Sequence, residues 1–211
     1  RQLSGRGERG LPFPQGQGGG PVNTRETIYL QTPLTRGTLK MLHSGDQVQI
    51  FGVVYTARDA AHARMWETIK HCKELPFDPK GQVIFYVGPT PAPPGYVIGS
   101  AGPTTAGRMD AFTPMLIERG LRGMIGKGRR SEEVRKAAMQ YGCVYFGAVE
   151  GTAALLSGCI QAAEVVAYQD LGPEAVLKLT VQSFPVVVVN DLYGGDIYAE
   201  GRKKYERSWP G

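Results

Sequence analysis

The sequence predicts an α/β fold, with a mixed or parallel central sheet flanked by helices. The second half alternates short apolar runs, glycine turns and helix-forming stretches: RGMIGKG precedes SEEVRKAAMQYG, and CVYFGA precedes GTAALLSGCI. That strand–turn–helix rhythm belongs to a sheet covered by helices. AAEVVAYQDL, AVLKLTVQSF and VVVVND add strand-rich material near the end, which favours a sheet over a helical bundle. The chain has 211 residues, 42% of them hydrophobic, with ten tyrosines and seven phenylalanines. That is enough apolar mass for one core, and it excludes a fully disordered chain.

In chain order, residues 1–22 read as a flexible leader, because their glycines raise backbone entropy and their apolar residues show no period. One domain over 23–211 follows, with no linker dividing it. TRGTLKMLHSGDQ reads as a short helix and a glycine turn, and QVQIFGVVYT, residues 47–56, as a strand. ARDAAHARMWETIKHCKEL has helical composition, with Ala61, Met65, Ile69 and Cys72 at helical spacing. QVIFYVG, residues 82–88, is the next strand, and the prolines of PTPAPPG forbid regular structure over 89–95. YVIGSAG then reads as a strand leading into the helical PTTAGRMDAFTPMLIERG. SEEV predicts an N-cap followed by acidic first-turn residues, which the helix amides and dipole favour.

The formal charge of +5 lies at the ends. Arg1, Arg6 and Arg9 stand against Glu8, and Arg202, Lys203, Lys204 and Arg207 against Glu206. The nearly neutral middle argues against a broad nucleic-acid footprint. Cys72, Cys143 and Cys159 form no C-x-x-C pair and cannot complete a set of internal disulfides. Their spacing carries no zinc or iron–sulfur signature, and Cys143 and Cys159 read as buried thiols. The apolar runs fall short of the roughly 20 residues of a membrane helix. No apolar signal-peptide core is visible, so no membrane role and a cytoplasmic location are expected.

Three loops gather the residues that could carry chemistry. In Gly99–Arg108, a strand end is expected to turn through Gly102 and Pro103 so that Thr104 or Thr105 caps the next helix. Arg108 fits a helix N-terminus poorly unless an anion sits between it and the amides. In Ile125–Ser131, Gly126 and Gly128 allow close backbone approach around Lys127; the alternative is a turn with a solvated basic cluster. Neither a Walker A nor a G-x-G-x-x-G pattern is present. In Tyr55–His62, Arg58 and Asp59 could pair with each other, and His62 could make a local hydrogen bond at the helix surface. Arg58, Arg108 and Lys127 thus fall at expected carboxyl ends of strands, where α/β sheets take ligands. Three cations suit a small dicarboxylate, because Arg holds a carboxylate through two parallel hydrogen bonds. An electrophile is missing.

TARDAAH, GPTTAGRMD and IGKG, followed by GCVYFGAVEGTAALL and EVVAYQDLGPEAVLKLTVQSFPVVVVND, resemble the iron–sulfur hydro-lyase family of class I fumarases and L-tartrate dehydratases over about residues 28–205. The match is to the beta subunit, equivalent to the C-terminal domain of the single-chain enzymes. The resemblance implies a swivelling β/β/α domain docked on an alpha subunit whose cysteines hold a [4Fe–4S] cluster, the Lewis acid absent here. An α2β2 heterotetramer is the corresponding assembly. It implies that Arg58 and Arg108 bind substrate, that Thr104 abstracts the proton with Thr105 as the fallback, and that Lys127 is the active-site lysine. The implied activity is interconversion of (S)-malate and fumarate, or, as an alternative, conversion of L-tartrate to oxaloacetate. A non-catalytic dicarboxylate-binding module is the reading from a different class. Many members continue the lysine loop as GKGN, whereas this chain has Arg129 after Gly128, which bears on substrate preference or partner contact.

Overall fold

The computed structural model describes residues 26–148 and 153–206, with side chains as far as Arg202. The leader expected at 1–22 and the basic end beyond Glu206 lie outside these residues. The elements run β1 (Ile28–Gln31), α1 (Arg36–Leu39), β2 (Gln47–Thr56), α2 (Asp59–Lys70), β3 (Val83–Phe85), α3 (Thr113–Glu118), β4 (Gly123–Gly126), α4 (Glu132–Tyr141), β5 (Val144–Gly147), α5 (Ala153–Gly158), β6 (Ile160–Ala167), β7 (Val176–Asn190) and α6 (Ile197–Glu206). A 3-10 turn at Ala106–Met109 precedes α3, and another at Gln169–Glu174 joins β6 to β7.

The fold is mixed α/β with a central sheet, in the order β1-β2-β3-β4-β5-β7-β6. Strands β1 to β5 pair in parallel, and β7 runs antiparallel to β5, β6 and β2. The β2–β7 ladder, from Gln47 opposite Val187 to Tyr55 opposite Lys178, closes β2-β3-β4-β5-β7 into a five-strand ring. The central mixed sheet expected from the sequence is therefore closed and barrel-like. Closure depends on β7, whose 15 residues serve β6 and β2 first and β5 last. Its bend falls near Ser183 (φ 52), opposite the irregularity between Ile50 and Gly52. Such an irregularity re-aims a strand and strengthens its twist.

Alternation along the strands divides the apolar residues into two cores. Ile50, Phe85, Ile125, Phe146, Leu179 and Val188 come from all five ring strands and form the cluster enclosed by the ring. Their sequence neighbours Ile84, Met124 and Tyr145 pack instead against Met65 of α2, Leu116 of α3 and Val134 of α4. Strands covered on both sides are buried at successive positions, which is why VIF and VYF carry no charged residue.

Two expected elements differ. YVIGSAG forms no strand: Thr90 accepts from Gly99 N and donates to Ser100 O, so residues 90–100 close on themselves. The helix over ARDAAHARMWETIKHCKEL stops at Lys70, which leaves Cys72 exposed at φ 51 and off the buried face. Among the described residues no helix is long and apolar enough to cross a membrane.

Candidate active site

Parallel β2 to β5 send their carboxyl ends to one rim of the ring, and backbone bonds assemble the site there. Beyond β2, Ala57 N donates to Phe85 O at 3.2 Å, and Arg58 follows in extended conformation as the residue preceding α2. Beyond β3, the chain leaves through the proline loop and returns at Thr104, whose N–H donates to Tyr86 O at 2.7 Å. Lys127 N then donates to Thr104 O at 3.2 Å, and Ala106 N to Lys127 O at 2.9 Å. Thr105 and Lys127 form a parallel bridge, so the GPTT loop adds a rung between the ends of β3 and β4. The approach requires Gly126, where a Cβ would lie 2.8 Å from Tyr86 Cδ2 and 3.2 Å from Ala106 Cβ.

The arginines reach the same corner by ion pairs other than the local one. Arg58 does not pair with its neighbour Asp59; its Nη2 lies 3.4 Å from Glu174 Oε1, in the β6–β7 connection. Asp59 instead meets Arg108 at 3.6 Å and ties the start of α2 to the 3-10 turn. Arg108 lies in that short turn and is 56% exposed, while the Arg58 side chain is 24% exposed. Thr104 is half-buried and Thr105 exposed, and neither side chain caps the turn. Lys127 lines a cavity of about 500 Å³ with Gly147, Val187 and Tyr198. The structure thus brings Thr104, Thr105 and Lys127 into direct backbone contact, with Arg58 and Arg108 joined to the same rim through α2.

Sequence reasoning missed the residues that hold these loops. Arg130, which the alternative reading of the lysine loop puts in a solvated basic cluster, has a fully buried side chain. Its Nε lies 2.8 Å from Asp110 Oδ1, and it donates to Tyr86 Oη and Thr113 Oγ1, each at 2.9 Å. The guanidinium also lies over the Tyr86 and Tyr145 rings, and Tyr145 Oη donates to Gly128 O at 3.0 Å. One buried cation therefore links the strand ends, the 3-10 turn and the lysine loop. Arg129 fits the cluster reading: it is exposed, with Tyr198 beside it.

His62 is buried beneath Arg58, not on the helix surface. Its Nδ1 lies 2.9 Å from Arg58 O, its ring meets Tyr86 edge-on, and Nε2 has no hydrogen-bond partner among the described residues. Burial lowers its pKa to about 4, helped by the Arg130 charge and opposed by the bond to Arg58 O and the Asp59 carboxylate. The ring is neutral at pH 7, and Nδ1–H donates to the carbonyl.

Among the described residues, no three His, Cys, Asp or Glu side chains are grouped so as to hold a metal. Cys143 is buried, and its thiol is pushed up to about 12 by that burial, far from the thiolate a cluster requires. Cys159 is half-buried and Cys72 exposed. The residues present do not fit an iron–sulfur cluster. They fit an anion: cationic groups and a hydroxyl on one open rim.

The family model for the fumarase C-terminus matches residues 10–201. The chain is 40% identical over 156 residues to the anaerobic class I fumarate hydratase of Escherichia coli K12, covering 73% of this chain and 28% of that enzyme. It is 36% identical over 181 residues to fumarate hydratase 2 of Leishmania major, covering 84% and 32%. Against a putative L(+)-tartrate dehydratase subunit beta of Methanocaldococcus jannaschii it is 38% identical over 186 residues, covering 85% and 95%. The chain thus spans about a third or less of the fumarate hydratases it matches and nearly all of that beta subunit.

Proposed function

The chain belongs to the fumarase C-terminus family, and from that premise we propose that it is the beta subunit of an iron–sulfur hydro-lyase, a fumarate hydratase interconverting (S)-malate and fumarate plus water. The observation that carries this reading is the Thr104–Lys127 rung at a rim shared with Arg58 and Arg108. A proton-moving hydroxyl beside cations suits removal of a proton next to a carboxylate, where negative charge builds on the carboxylate oxygens. Arg58 and Arg108 hold the substrate carboxylates, Lys127 stabilises the developing charge, Thr104 moves the proton and Thr105 contributes to substrate binding.

The [4Fe–4S] cluster belongs to an alpha subunit in this proposal, since the described residues of this chain do not fit it. Near-complete coverage of a protein itself named a subunit beta supports a separate partner, and the proposed assembly is an α2β2 heterotetramer in the cytoplasm. The domain spans 23–211 and is of the swivelling β/β/α type. That same coverage favours a second reading, L-tartrate dehydratase, with oxaloacetate as product.

The deciding experiment is anaerobic assembly with the cluster-bearing subunit, followed by parallel assays on malate, fumarate and both tartrate enantiomers. Turnover of malate and fumarate is expected; tartrate turnover alone moves the assignment to the dehydratase. Assembly with no turnover of any substrate leaves a dicarboxylate-binding module. Thr104→Ala should lower kcat by about 100-fold or more, the usual worth of a positioned proton-transfer group, while assembly persists. Unchanged turnover removes Thr104 from the chemistry.

A further inference from the structure

Glu174 lies far from the rim in sequence and is brought there by the β6–β7 connection, where Gly172 (φ 56) breaks the 3-10 turn just before Pro173. Its two carboxylate oxygens face two different groups. Oε1 is 3.4 Å from Arg58 Nη2, and Oε2 accepts from Ala60 N at 3.2 Å, in the first turn of the helix that begins after Arg58. The arginine also packs on Gly88, where a Cβ would lie 2.9 Å from Arg58 Nη1 and 3.0 Å from its Cδ. Pro173 O stands 3.3 Å from the same point. The Arg58 side chain is therefore packed closely against Gly88 and paired with Glu174, with Pro173 O beside them.

We propose that Glu174 is the positioning residue for Arg58, aiming its guanidinium at the rim and cancelling its net charge there. The inference rests on the reading that Arg58 grips a substrate carboxylate. The Arg58–Glu174 contact is an ion pair, and the buried Arg58 Nε has no hydrogen-bond partner among the described residues. A guanidinium carries five donors in a rigid fork, so orientation by Glu174 still leaves donors for a second carboxylate. Asp59 stands in the same relation to Arg108 at 3.6 Å. Each arginine thus meets the substrate with its charge already balanced, and recognition depends on aimed donors more than on long-range attraction.

The test compares the assembled wild-type enzyme with Glu174→Gln and Glu174→Asp on malate. Gln keeps an oxygen for Ala60 N and removes the charge. Misaiming a substrate-positioning group should lower kcat about 10- to 100-fold. The thermal midpoint should stay within about 2 °C, as for a substitution outside the core. Because Arg58 then carries an unbalanced charge, KM should rise more steeply with ionic strength. Glu174→Asp restores the charge and should return the salt dependence to that of the wild type. A Glu174→Gln enzyme with wild-type kcat and salt dependence overturns the proposal, whatever its thermal midpoint. If Gln prevents folding, a folded Glu174→Ala enzyme takes its place: wild-type kcat and salt dependence overturn the proposal, and a lowered kcat with a steeper salt dependence supports it. Inactive wild-type enzyme, or Arg58→Ala with wild-type KM and kcat, removes the functional reading and this inference together.

Discussion

The His62 ring makes one hydrogen bond, to the carbonyl of Arg58, and its other nitrogen is buried with no partner among the described residues. Burial holds its pKa near 4, against about 6.5 in the unfolded chain. Between those values the unfolded state binds more protons than the folded state, so stability rises with pH. The contribution is complete above pH 6.5, is lost as pH falls toward 4, and amounts to about 3 kcal/mol at the 1.36 kcal/mol of one pKa unit. Imidazole NMR on the full chain should show His62 still neutral at pH 5.5; a midpoint near 6.5 contradicts this. The position was readable only in part. HARM showed a histidine on a helix, but not that Tyr86, just beyond the end of β3, meets it edge-on. Arg129 and Arg130 make the same point, since adjacent identical residues divide into one exposed and one buried. Only the distant Asp110, Tyr86 and Thr113 distinguish them.

At the scale of elements, local pattern was legible where neighbours in sequence supply the bonds. The α4 N-terminus is such a case: Ser131 Oγ accepts from Val134 N, and Glu132 and Glu133 occupy the first turn. Strand β2 has strand-rich composition over its ten residues and falls where that composition puts it. YVIGSAG has strand composition, yet the place beside β4 is taken by β3 on one side and β5 on the other. A Cβ at Gly99 would also run into Thr90, so the segment is built to fold against its own loop. The junction of β4 with the lysine loop carries its own prediction. Gly126→Ala sets a methyl against Tyr86, whose ring is held by Arg130 and cannot swing away. Overpacking of this kind costs about 1–3 kcal/mol. Urea unfolding should register that loss, whereas Gly158→Ala, where a Cβ meets nothing within 4 Å, should leave the midpoint nearly unchanged. Equal effects at the two glycines contradict the packing argument.

Closure of the sheet gathers the cationic loops, and it depends on pairing β2 with β7, elements more than a hundred residues apart. Apolar runs such as VVVVN predict a strand but carry no record of which distant edge it joins, so the ring was not legible while its strands were. The same ring separates the cysteines. Cys143 faces the helix-side core with Tyr145 and Val134, Cys159 packs against the enclosed cluster, and Cys72 stands exposed after α2. These are all the cysteines of the chain, and bringing them to one iron–sulfur site would require opening both cores. This arrangement supports the proposal that the cluster ligands come from outside this chain, with substrate-facing groups on the rim. Anaerobic treatment of the full chain alone with ferrous iron and sulfide should therefore give no stoichiometric cluster absorbance. After assembly with the alpha subunit and separation under denaturing conditions that preserve thiol alkylation patterns, cluster-protected cysteines should map to the partner, with Cys72 alkylated as readily as in the isolated chain. A stable cluster on this chain alone, or protection of Cys72, Cys143 and Cys159 together, would place the ligands here and overturn that proposal.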